Sequence, residues 1–342
     1  MNKKTMFIFL VIIMCISLIV GCTNIGENKT ENNAKITEDD FPNKPVRIVL
    51  PYATGGGTDR ALRMFKPFFE KALGTQVVIE NTPGGGTEIG TTVVARAEAD
   101  GYTILASNEP DLSWTLAFQS PKGYDDSTMD IMMISQIDPR IVIANKNSKY
   151  NTFEDFIQDA NANPGKLAIS VGQNSGVHAI ALYLRKALNL DYKVVPYDGG
   201  GQAAAALMGG HVDLAIGDVF SRIDLRDSLK CIGIMGNEVN PLWPEGPPLD
   251  EILETYDVKM PTLNRYGIFA VHSDLIKKYP DRYQKILDAF MKASKDPEYL
   301  KIIEENNMQD IEVWIPGEDV KDELKTWMEF LKTEVKPLIK EQ

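Results

Sequence analysis

The chain has 342 residues and a formal net charge of −12, with 36 lysines and arginines against 48 aspartates and glutamates. That length is enough for two domain-sized hydrophobic cores. The acidic balance and the lack of a basic stripe in the sequence predict that the protein does not bind nucleic acid. A two-domain enzyme and a two-lobed binding protein are both compatible with these numbers.

The first 21 residues have the pattern of a secretory signal. Two lysines precede an apolar segment at residues 6–20, which is followed by Gly21 and Cys22. Fifteen helical residues would span ~22 Å, less than the ~30 Å hydrocarbon core of a bilayer, so a permanent transmembrane helix is disfavoured. The ending resembles a bacterial lipobox. It therefore predicts cleavage before Cys22 and lipidation of that cysteine, with secretion and cleavage elsewhere as the alternative.

Residues 22–40 are predicted to be a lipidated, flexible tether, because they are almost entirely polar and contain too few apolar side chains to form a core. Cys15 would leave with the signal and Cys22 would carry the lipid. Cys231 would then be the single remaining thiol, which excludes an intramolecular disulfide in the mature chain. We expect Cys231 to behave as a small buried hydrophobic residue.

From Phe41 onward the sequence repeats one unit, in which a short apolar strand leads through a glycine-rich loop into a helix. This alternation predicts an α/β fold. The predicted strands are 46–50, 76–80, 102–106, 166–171, 192–196, 211–216 and 266–271. The predicted helices are 60–73, 88–97, 152–162, 177–188, 202–208, 275–293, 297–305 and 317–335.

Three local expectations accompany these elements. Thr58 or Asp59 should cap the first helix. Pro67 should kink that helix or divide it into two shorter pieces. The proline- and glycine-rich stretch 241–248 should lie on the surface.

Glycine-rich loops occur at residues 55–57, 84–86, 172–176 and 199–201, each between a predicted strand and a predicted helix. Such turns expose backbone N–H groups beside the positive end of a helix dipole, which favours anion binding. In open α/β sheets, ligands bind at the carboxyl ends of the strands, where these loops lie. Tight turn geometry would explain any one loop. Four loops in repeated positions favour an anion-binding cleft.

Nucleotide binding and catalysis have weaker support. The glycine loops lack the lysine of a phosphate-binding loop, and no dinucleotide fingerprint is present. Ser175 precedes His178 by three residues and could act with it as the nucleophile and base of a secreted hydrolase, but Ser175 is equally suited to cap a helix. The histidines are scattered, and no set of metal ligands is visible. We therefore predict no catalytic residue, no metal and no cofactor.

Several motifs together resemble one family, the solute-binding proteins of tripartite tricarboxylate transporters, also called the Bug family. In the first half these motifs are FPNKPVRIVLP at 41–51, GGGTD at 55–59, VIENTPGGG at 78–86 and ADGYT at 99–103. In the second half they are NPGKL at 163–167, GQNSGVH at 172–178, VPYDGG at 195–200 and GGHVD at 209–213. Their order and spacing agree with the family over nearly the whole mature chain.

The resemblance implies a type II periplasmic-binding-protein fold, with two α/β lobes joined by strands that cross at 141–144 and 266–271. Lobe 1 would comprise residues 41–142 and 268–342, and lobe 2 residues 143–267. The implied function is that of a monomeric, extracytoplasmic lipoprotein, anchored to the bacterial cell membrane through Cys22. It would deliver a small organic carboxylate to a membrane permease. The alternative is a sensor component that presents an amino acid or another zwitterion.

In this family, glycine-rich loops of both lobes bind the ligand carboxylate largely through backbone groups. The positions that match are Tyr52, Gly55, Gly56, Thr58, Asp59, Ser107, Asn108, Gln173, Ser175, Gly176, Tyr197, Gly199 and Asp218. The chain departs from the family at Glu109 and Asp111, where small polar residues are usual. Either these acids point to solvent or cap the next helix, or one of them contacts an amine of the ligand.

Overall fold

The structure is a computed structural model that describes residues 40–119, 124–125, 127–261 and 264–339. The predicted signal at 1–21, the predicted lipidation site at Cys22 and the predicted tether up to residue 39 lie outside the described residues. Within the described ranges, no helix combines the length and hydropathy that crossing a membrane requires.

The described residues form eleven strands and twelve α-helices, connected by short 3-10 and π-helical turns. The strands are β1 (Val46–Leu50), β2 (Val77–Asn81), β3 (Thr103–Glu109), β4 (Met129–Asp138), β5 (Arg140–Asn145), β6 (Ala168–Gly172), β7 (Lys193–Tyr197), β8 (Leu214–Asp218), β9 (Leu229–Ile234), β10 (Arg265–His272) and β11 (Glu312–Pro316). The helices are α1 (Gly57–Leu73), α2 (Glu88–Ala95), α3 (Asp111–Trp114), α4 (Phe153–Ala162), α5 (Gly176–Ala187), α6 (Gly200–Met208), α7 (Leu249–Glu254), α8 (Asp274–Lys278), α9 (Pro280–Ala293), α10 (Pro297–Glu305), α11 (Lys321–Phe330) and α12 (Lys336–Ile339).

The strands form two mixed sheets, one in each α/β lobe. The first sheet has the order β11-β4-β10-β3-β1-β2, and the second has the order β7-β6-β8-β5-β9. β1 is parallel to β2 and β3, and β6 is parallel to β7 and β8. The loops that follow these parallel strands therefore lie together at the carboxyl edge of each sheet. This architecture confirms the predicted two-lobed α/β fold.

The chain changes sheets at Pro139, between β4 in the first sheet and β5 in the second. Residues 141–144 pair entirely within the second sheet, and residues 266–271 pair entirely within the first. The predicted lobe boundaries at 142/143 and 267/268 stay a prediction. The sheet membership places the first change slightly earlier in the chain.

Helix α1 differs from its prediction at its start and in its middle. It begins at Gly57 with Gly56 as the N-cap residue, so the prediction of Thr58 or Asp59 as the cap is wrong. The Asp59 carboxylate instead accepts a hydrogen bond from Gly55 N, 2.8 Å away. The helix continues unbroken through Pro67, so the division into two pieces is wrong. Pro67 is exposed, and the carbonyl that loses its hydrogen-bond donor can be solvated by water.

Aromatic side chains form much of the first core. Phe65 and Phe69 of α1 pack against Phe290 of α9, and the rings of Phe69 and Phe290 stack with centroids 4.2 Å apart. Phe269 of β10 and Trp314 of β11 complete the cluster. These contacts hold the helices against the sheet that carries the first set of loops.

The stretch 241–248 is not simply a surface segment, because Trp243 is fully buried. Its indole Nε1 donates a hydrogen bond to Val219 O at 3.1 Å, and its ring packs in the cluster with Ile141 and Cys231. The surface prediction is therefore wrong for Trp243. A large aromatic residue can anchor a proline- and glycine-rich stretch by filling a space in the core beneath it. Cys231 is buried with a free thiol, as predicted, and burial raises its pKa to about 12.

Candidate functional site

Asp59 holds the loop between β1 and α1. Its carboxylate accepts hydrogen bonds from Gly55 N, from Arg63 Nε at 2.9 Å and from Asn81 Nδ2 at 2.9 Å. Gly55 has a φ of +83°, a conformation that glycine adopts without strain. Burial tends to raise the pKa of Asp59, but these hydrogen bonds outweigh it and hold the pKa below its usual range. Asp59 therefore positions the glycine loop and has its own oxygens already occupied.

Tyr52 joins the ends of β1 and β3. Its hydroxyl lies 3.4 Å from Ser107 Oγ and accepts a hydrogen bond from Asn108 N at 3.2 Å. Asn108 Nδ2 donates to Thr58 Oγ1 at 3.3 Å, at the start of α1. These predicted site residues of the first lobe therefore form one connected group at the carboxyl edge of the first sheet.

The loops that follow β6 and β7 meet at the matching edge of the second sheet. Gln173 N donates to Tyr197 O at 2.8 Å, and Gln173 Nε2 donates to Asp198 Oδ1 at 2.6 Å. A Cβ on Gly172 would lie 3.7 Å from the carbonyl carbon of Gly199. Gln173, Tyr197 and Gly199 are thus brought together, although no described hydrogen bond connects them directly to the first lobe.

Asp111 bridges the two sets of loops. Its Oδ2 accepts a hydrogen bond from the Tyr52 hydroxyl at 3.0 Å, and its Oδ1 accepts one from Gly176 N at 3.2 Å. Gly176 is the first residue of α5, so the carboxylate lies at the positive end of that helix dipole. Burial raises the pKa of Asp111, and the nearby Arg140 partly offsets that increase.

Glu109 differs from Asp111 in its surroundings. It is buried, and its Oε2 accepts a hydrogen bond from Ser113 N at 3.1 Å in the short helix α3. Burial raises the pKa of Glu109 to about 7. Glu109 thus accepts a hydrogen bond from the following helix, whose N-cap residue is Pro110, whereas Asp111 reaches across to α5.

A charge cluster lies where the two sheets meet, and its members come from β4, β5, β8, β10, the turn after β8 and the short helix α3. We define it as Asp111, Asp138, Arg140, Asp218, Arg222 and Arg265. Within it, Arg140 Nη1 donates to Asp218 Oδ1. Arg265 contacts Asp138 Oδ2 at 3.3 Å and Asp218 Oδ2 at 3.7 Å. Arg265 Nη1 also donates to Asn108 Oδ1 at 3.0 Å, which connects the cluster to the Tyr52 group.

The acids of the charge cluster titrate differently because they have different neighbours. Burial raises the pKa of Asp138, and Arg265 only partly opposes this change. Burial also acts on Asp218, but Arg140, Arg265 and Arg222 outweigh it and lower the pKa of Asp218. Asp218 is therefore held as a carboxylate among three guanidinium groups.

Arg140 has one unused edge. It is only 4 % exposed, yet Nε and Nη2 have no hydrogen-bond partner. These two nitrogens form the edge of a guanidinium that binds carboxylate oxygens in pairs. A Cβ on Gly176 would lie 3.0 Å from Arg140 Nη2, so this edge adjoins the start of α5 and the Asp111 carboxylate. Buried donors without acceptors are costly, which favours an acceptor at this position.

Ser175 and His178 are not arranged as a nucleophile and a base. The Ser175 hydroxyl donates to Gly172 O at 2.6 Å, and His178 Nδ1 accepts from Asn174 N at 3.3 Å. The His178 ring stacks on Trp114 with centroids 5.3 Å apart. Burial lowers the pKa of His178 to about 4. Among the residues that the structure describes, no group of three or more His, Cys, Asp or Glu side chains is placed to hold a metal ion.

Sequence reasoning found the loops but missed four residues of the charge cluster, namely Asp138, Arg140, Arg222 and Arg265. Asp138 and Arg140 flank Pro139 between two apolar strands, and this was the available signal. Charged residues are rarely fully buried without partners, and these partners lie far apart in the sequence. Of the predicted residues, Gly55 and Gly56 are exposed and take no part in the charge cluster.

A two-lobed α/β fold with a polar site between glycine-rich loops is the architecture found in periplasmic solute-binding proteins. The chain belongs to the tripartite tricarboxylate transporter family receptors (TctC), whose family model matches residues 62–341. This match confirms the resemblance found in the sequence. Receptors of this family are periplasmic solute-binding proteins.

Known proteins agree with this assignment. The chain is 26% identical to the protein BugT of Bordetella pertussis over 225 residues, which cover 64% of this chain and 69% of BugT. It shares the fold of Rhodopseudomonas palustris MatC with bound malate, with a TM-score of 0.67, 22% identity and coverage of 84% of this chain and 99% of MatC. The R. palustris protein Rpa4515 with adipate gives a TM-score of 0.72, 18% identity and coverage of 87% and 98%.

Proposed function

We propose that this protein is an extracytoplasmic lipoprotein that captures a small carboxylate and delivers it to a tripartite tricarboxylate-type permease, without a catalytic step. One observation carries the carboxylate part of the proposal: the unpaired, buried edge of Arg140 beside the first turn of α5. Both groups favour a planar anion at the same place. The malate of MatC and the adipate of Rpa4515 are ligands of the same chemical class.

The other predicted residues then have distinct roles in the proposal. Tyr52 and Gly176 lie next to the bound carboxylate, and their hydroxyl and N–H groups hold Asp111 beside it. Ser107, Asn108 and Thr58 orient Tyr52. Asp59 holds the loop with Gly55 and Gly56, and Asp218 holds Arg140. The remaining residues of the second lobe form the wall of the cleft, and these are Gln173, Ser175, Tyr197 and Gly199.

Calorimetric titration of the purified protein with mono-, di- and tricarboxylates and with amino acids tests the binding function. Charge-assisted hydrogen bonds contribute about 1.5–3 kcal/mol each, so a few of them can supply the roughly 8 kcal/mol of a micromolar complex. We expect at least one carboxylate to bind with micromolar or tighter affinity and to leave the site chemically unchanged. Binding of no carboxylate, or turnover of a bound compound, would contradict the proposal.

Gly176→Ala should weaken carboxylate binding by about tenfold or more, because the added Cβ would interfere with closure of the site. That atom would lie 2.5 Å from Pro110 Cγ in the first lobe, and the rigid proline ring cannot easily move away. The measurement is the dissociation constant by calorimetry. Gly201→Ala in the first turn of α6 is the matched control. Its Cβ would meet nothing within 4 Å, so it should lose much less affinity. Equal losses in the two variants would contradict the steric explanation.

Cys22→Ser should release the protein from the membrane, since acyl chains on this cysteine are the proposed anchor. Membrane and soluble fractions of the expressing bacterium, probed with an antibody, measure the distribution. Ligand affinity should not change, because every residue of the proposed site lies between Tyr52 and Arg265 in the chain. Retention of the variant in the membrane fraction would show that another segment or partner holds the protein there.

A further inference from the structure

Asp111 occupies a position that suits a ligand carboxylate. One of its oxygens accepts from Gly176 N at the start of α5, and the other accepts from the Tyr52 hydroxyl. These donors come from different lobes and are the type of group proposed above to hold the ligand anion. Because both Asp111 oxygens accept hydrogen bonds, the side chain has the bonding pattern of an ionised carboxylate. The chain therefore places its own negative charge inside the ligand site.

The unpaired nitrogens of Arg140 are independent evidence that a second anion binds beside Asp111. Its Nε and Nη2 are buried and without acceptors, although Nη1 is already engaged by Asp218. Asp111 is close enough to Arg140 for the guanidinium to affect its ionisation, but no hydrogen bond joins the two side chains. The paired edge of the guanidinium is thus left for an acceptor that the chain does not supply.

The charge balance limits what that acceptor can be. The charge cluster contains three guanidinium groups, from Arg140, Arg222 and Arg265, and three carboxylates, from Asp111, Asp138 and Asp218. It has no surplus of positive charge to compensate a dianion. A buried charge without a partner is strongly unfavourable. A plain di- or tricarboxylate would bring two or more negative charges next to Asp111, whereas a ligand with both a carboxylate and a cation would add no net charge.

Resting on the proposed function, we propose that the ligand is a zwitterion, an amino acid or a similar amine-bearing carboxylate. Its carboxylate binds the Nε and Nη2 edge of Arg140, and its ammonium group binds Asp111. In this arrangement Asp111 accepts the hydrogen bonds of Tyr52 and Gly176, and the ligand carboxylate accepts those of Arg140. Glu109 is not the amine contact, since its carboxyl is turned to Ser113 N inside α3.

The test uses matched pairs of ligands that differ only in the amine. The pairs are L-glutamate and glutarate, L-aspartate and succinate, and L-leucine and 4-methylpentanoate, each titrated calorimetrically into the purified protein at pH 7. We expect the wild-type protein to bind the amine-bearing member of at least one pair about 10- to 100-fold more tightly, as a charge-assisted contact in a buried site would give. Equal or tighter binding of the amine-free member would overturn the inference and leave the proposed function intact.

Variants identify the residues responsible. Asp111→Asn should reduce the preference for the amine to less than about threefold, by weakening the zwitterion and strengthening the amine-free acid. Arg140→Lys keeps a positive charge beside Asp218 but loses the paired edge, and it should weaken both members of a pair alike. The control is Asp250→Asn, which removes an aspartate that also accepts a glycine N–H, from Gly236, but lies outside the charge cluster.

Other results of these titrations would contradict either the assignment of Asp111 or the proposal as a whole. An unchanged preference in Asp111→Asn, or loss of the preference in Glu109→Gln in its place, would overturn the assignment to Asp111. Thermal melting establishes that each variant is folded, and the preference of the wild-type protein decides on the zwitterion without any variant. Failure of the wild-type protein to bind either member of every pair, and every other carboxylate tried, would refute the proposed function together with this inference.

Discussion

Replacing Arg140 with methionine is expected to lower the free energy of unfolding by about 3–5 kcal/mol at pH 7. The substitution removes the guanidinium whose Nη1 binds Asp218. It leaves that carboxylate, whose side chain is 17 % exposed, in a largely buried position with weaker compensation. Loss of one partner of a buried ion pair typically has an effect of this size, because the other charge stays desolvated. Urea unfolding followed by circular dichroism measures the change.

A double-mutant cycle separates the ion pair from other effects of the substitution. Asp218→Asn alone should also destabilise the protein, since it leaves Arg140 without its partner. The double variant Arg140→Met with Asp218→Asn should then be more stable than the sum of the two single losses predicts, by about 2 kcal/mol. Additive losses would mean that Arg140 acts through packing alone. Asp218→Asn also removes the contact between Arg265 and Asp218, but it does so both with and without Arg140, so that contribution cancels in the cycle.

The sequence was most informative where structure depends on neighbouring residues. The strand, loop and helix units around β1, β2 and β3 follow from local patterns of apolar residues and glycines. Because the carboxyl ends of parallel strands share one edge, those patterns also brought Tyr52, Thr58, Ser107 and Asn108 into one group. The start of α5 was predicted in the same way, from the turn that precedes it, at residue 177 and thus one residue after its observed start at Gly176.

Strands and charges that depend on distant partners were not predictable in that way. β4 pairs with β10 and β11, more than 120 residues away in sequence, and no turn signal marks its pairing. Trp243 is buried because a space in the core receives it, although its neighbours have the composition of a surface loop. Arg140 and Arg265 are buried because tertiary structure places Asp218 and Asp138 against them. These pairings between oppositely charged side chains form only in the folded molecule and leave no local pattern in the sequence.

The structure also changes the interpretation of the two acidic residues Glu109 and Asp111. In the sequence, Glu109 and Asp111 are equivalent candidates for an amine contact. In the structure, Glu109 lies between β3 and α3, where it accepts a hydrogen bond from Ser113 N. Asp111 points toward α5, where it accepts one from Gly176 N. Their different environments assign them different physical roles, and these roles can be measured separately. Asp111 should affect ligand choice, whereas Glu109 should affect how stability depends on pH.

Replacing Glu109 with glutamine is expected to stabilise the protein relative to wild type by about 3 kcal/mol at pH 8 and to have little effect at pH 5. Burial raises the pKa of Glu109 in the folded protein from 4.5 to about 7. Between pH 4.5 and about pH 7, Glu109 in the folded protein retains a proton that it has released in the unfolded chain. The contribution of Glu109 to stability therefore falls as pH rises through this window, at up to about 1.4 kcal/mol per pH unit. Glutamine cannot titrate, and its side-chain oxygen can still accept the hydrogen bond from Ser113 N.

Urea unfolding of wild type and Glu109→Gln at pH 5, 6, 7 and 8 tests this expectation. The informative quantity is the difference in unfolding free energy between the two proteins at each pH, because the titrations of His178 and Asp138 occur in both and cancel. That difference should grow steadily in favour of the variant from pH 5 to pH 7 and then level off. A difference that stays constant with pH would mean that Glu109 ionises in the folded protein as it does in the unfolded chain. It would also mean that solvent reaches this carboxyl group more freely than its position between β3 and α3 implies.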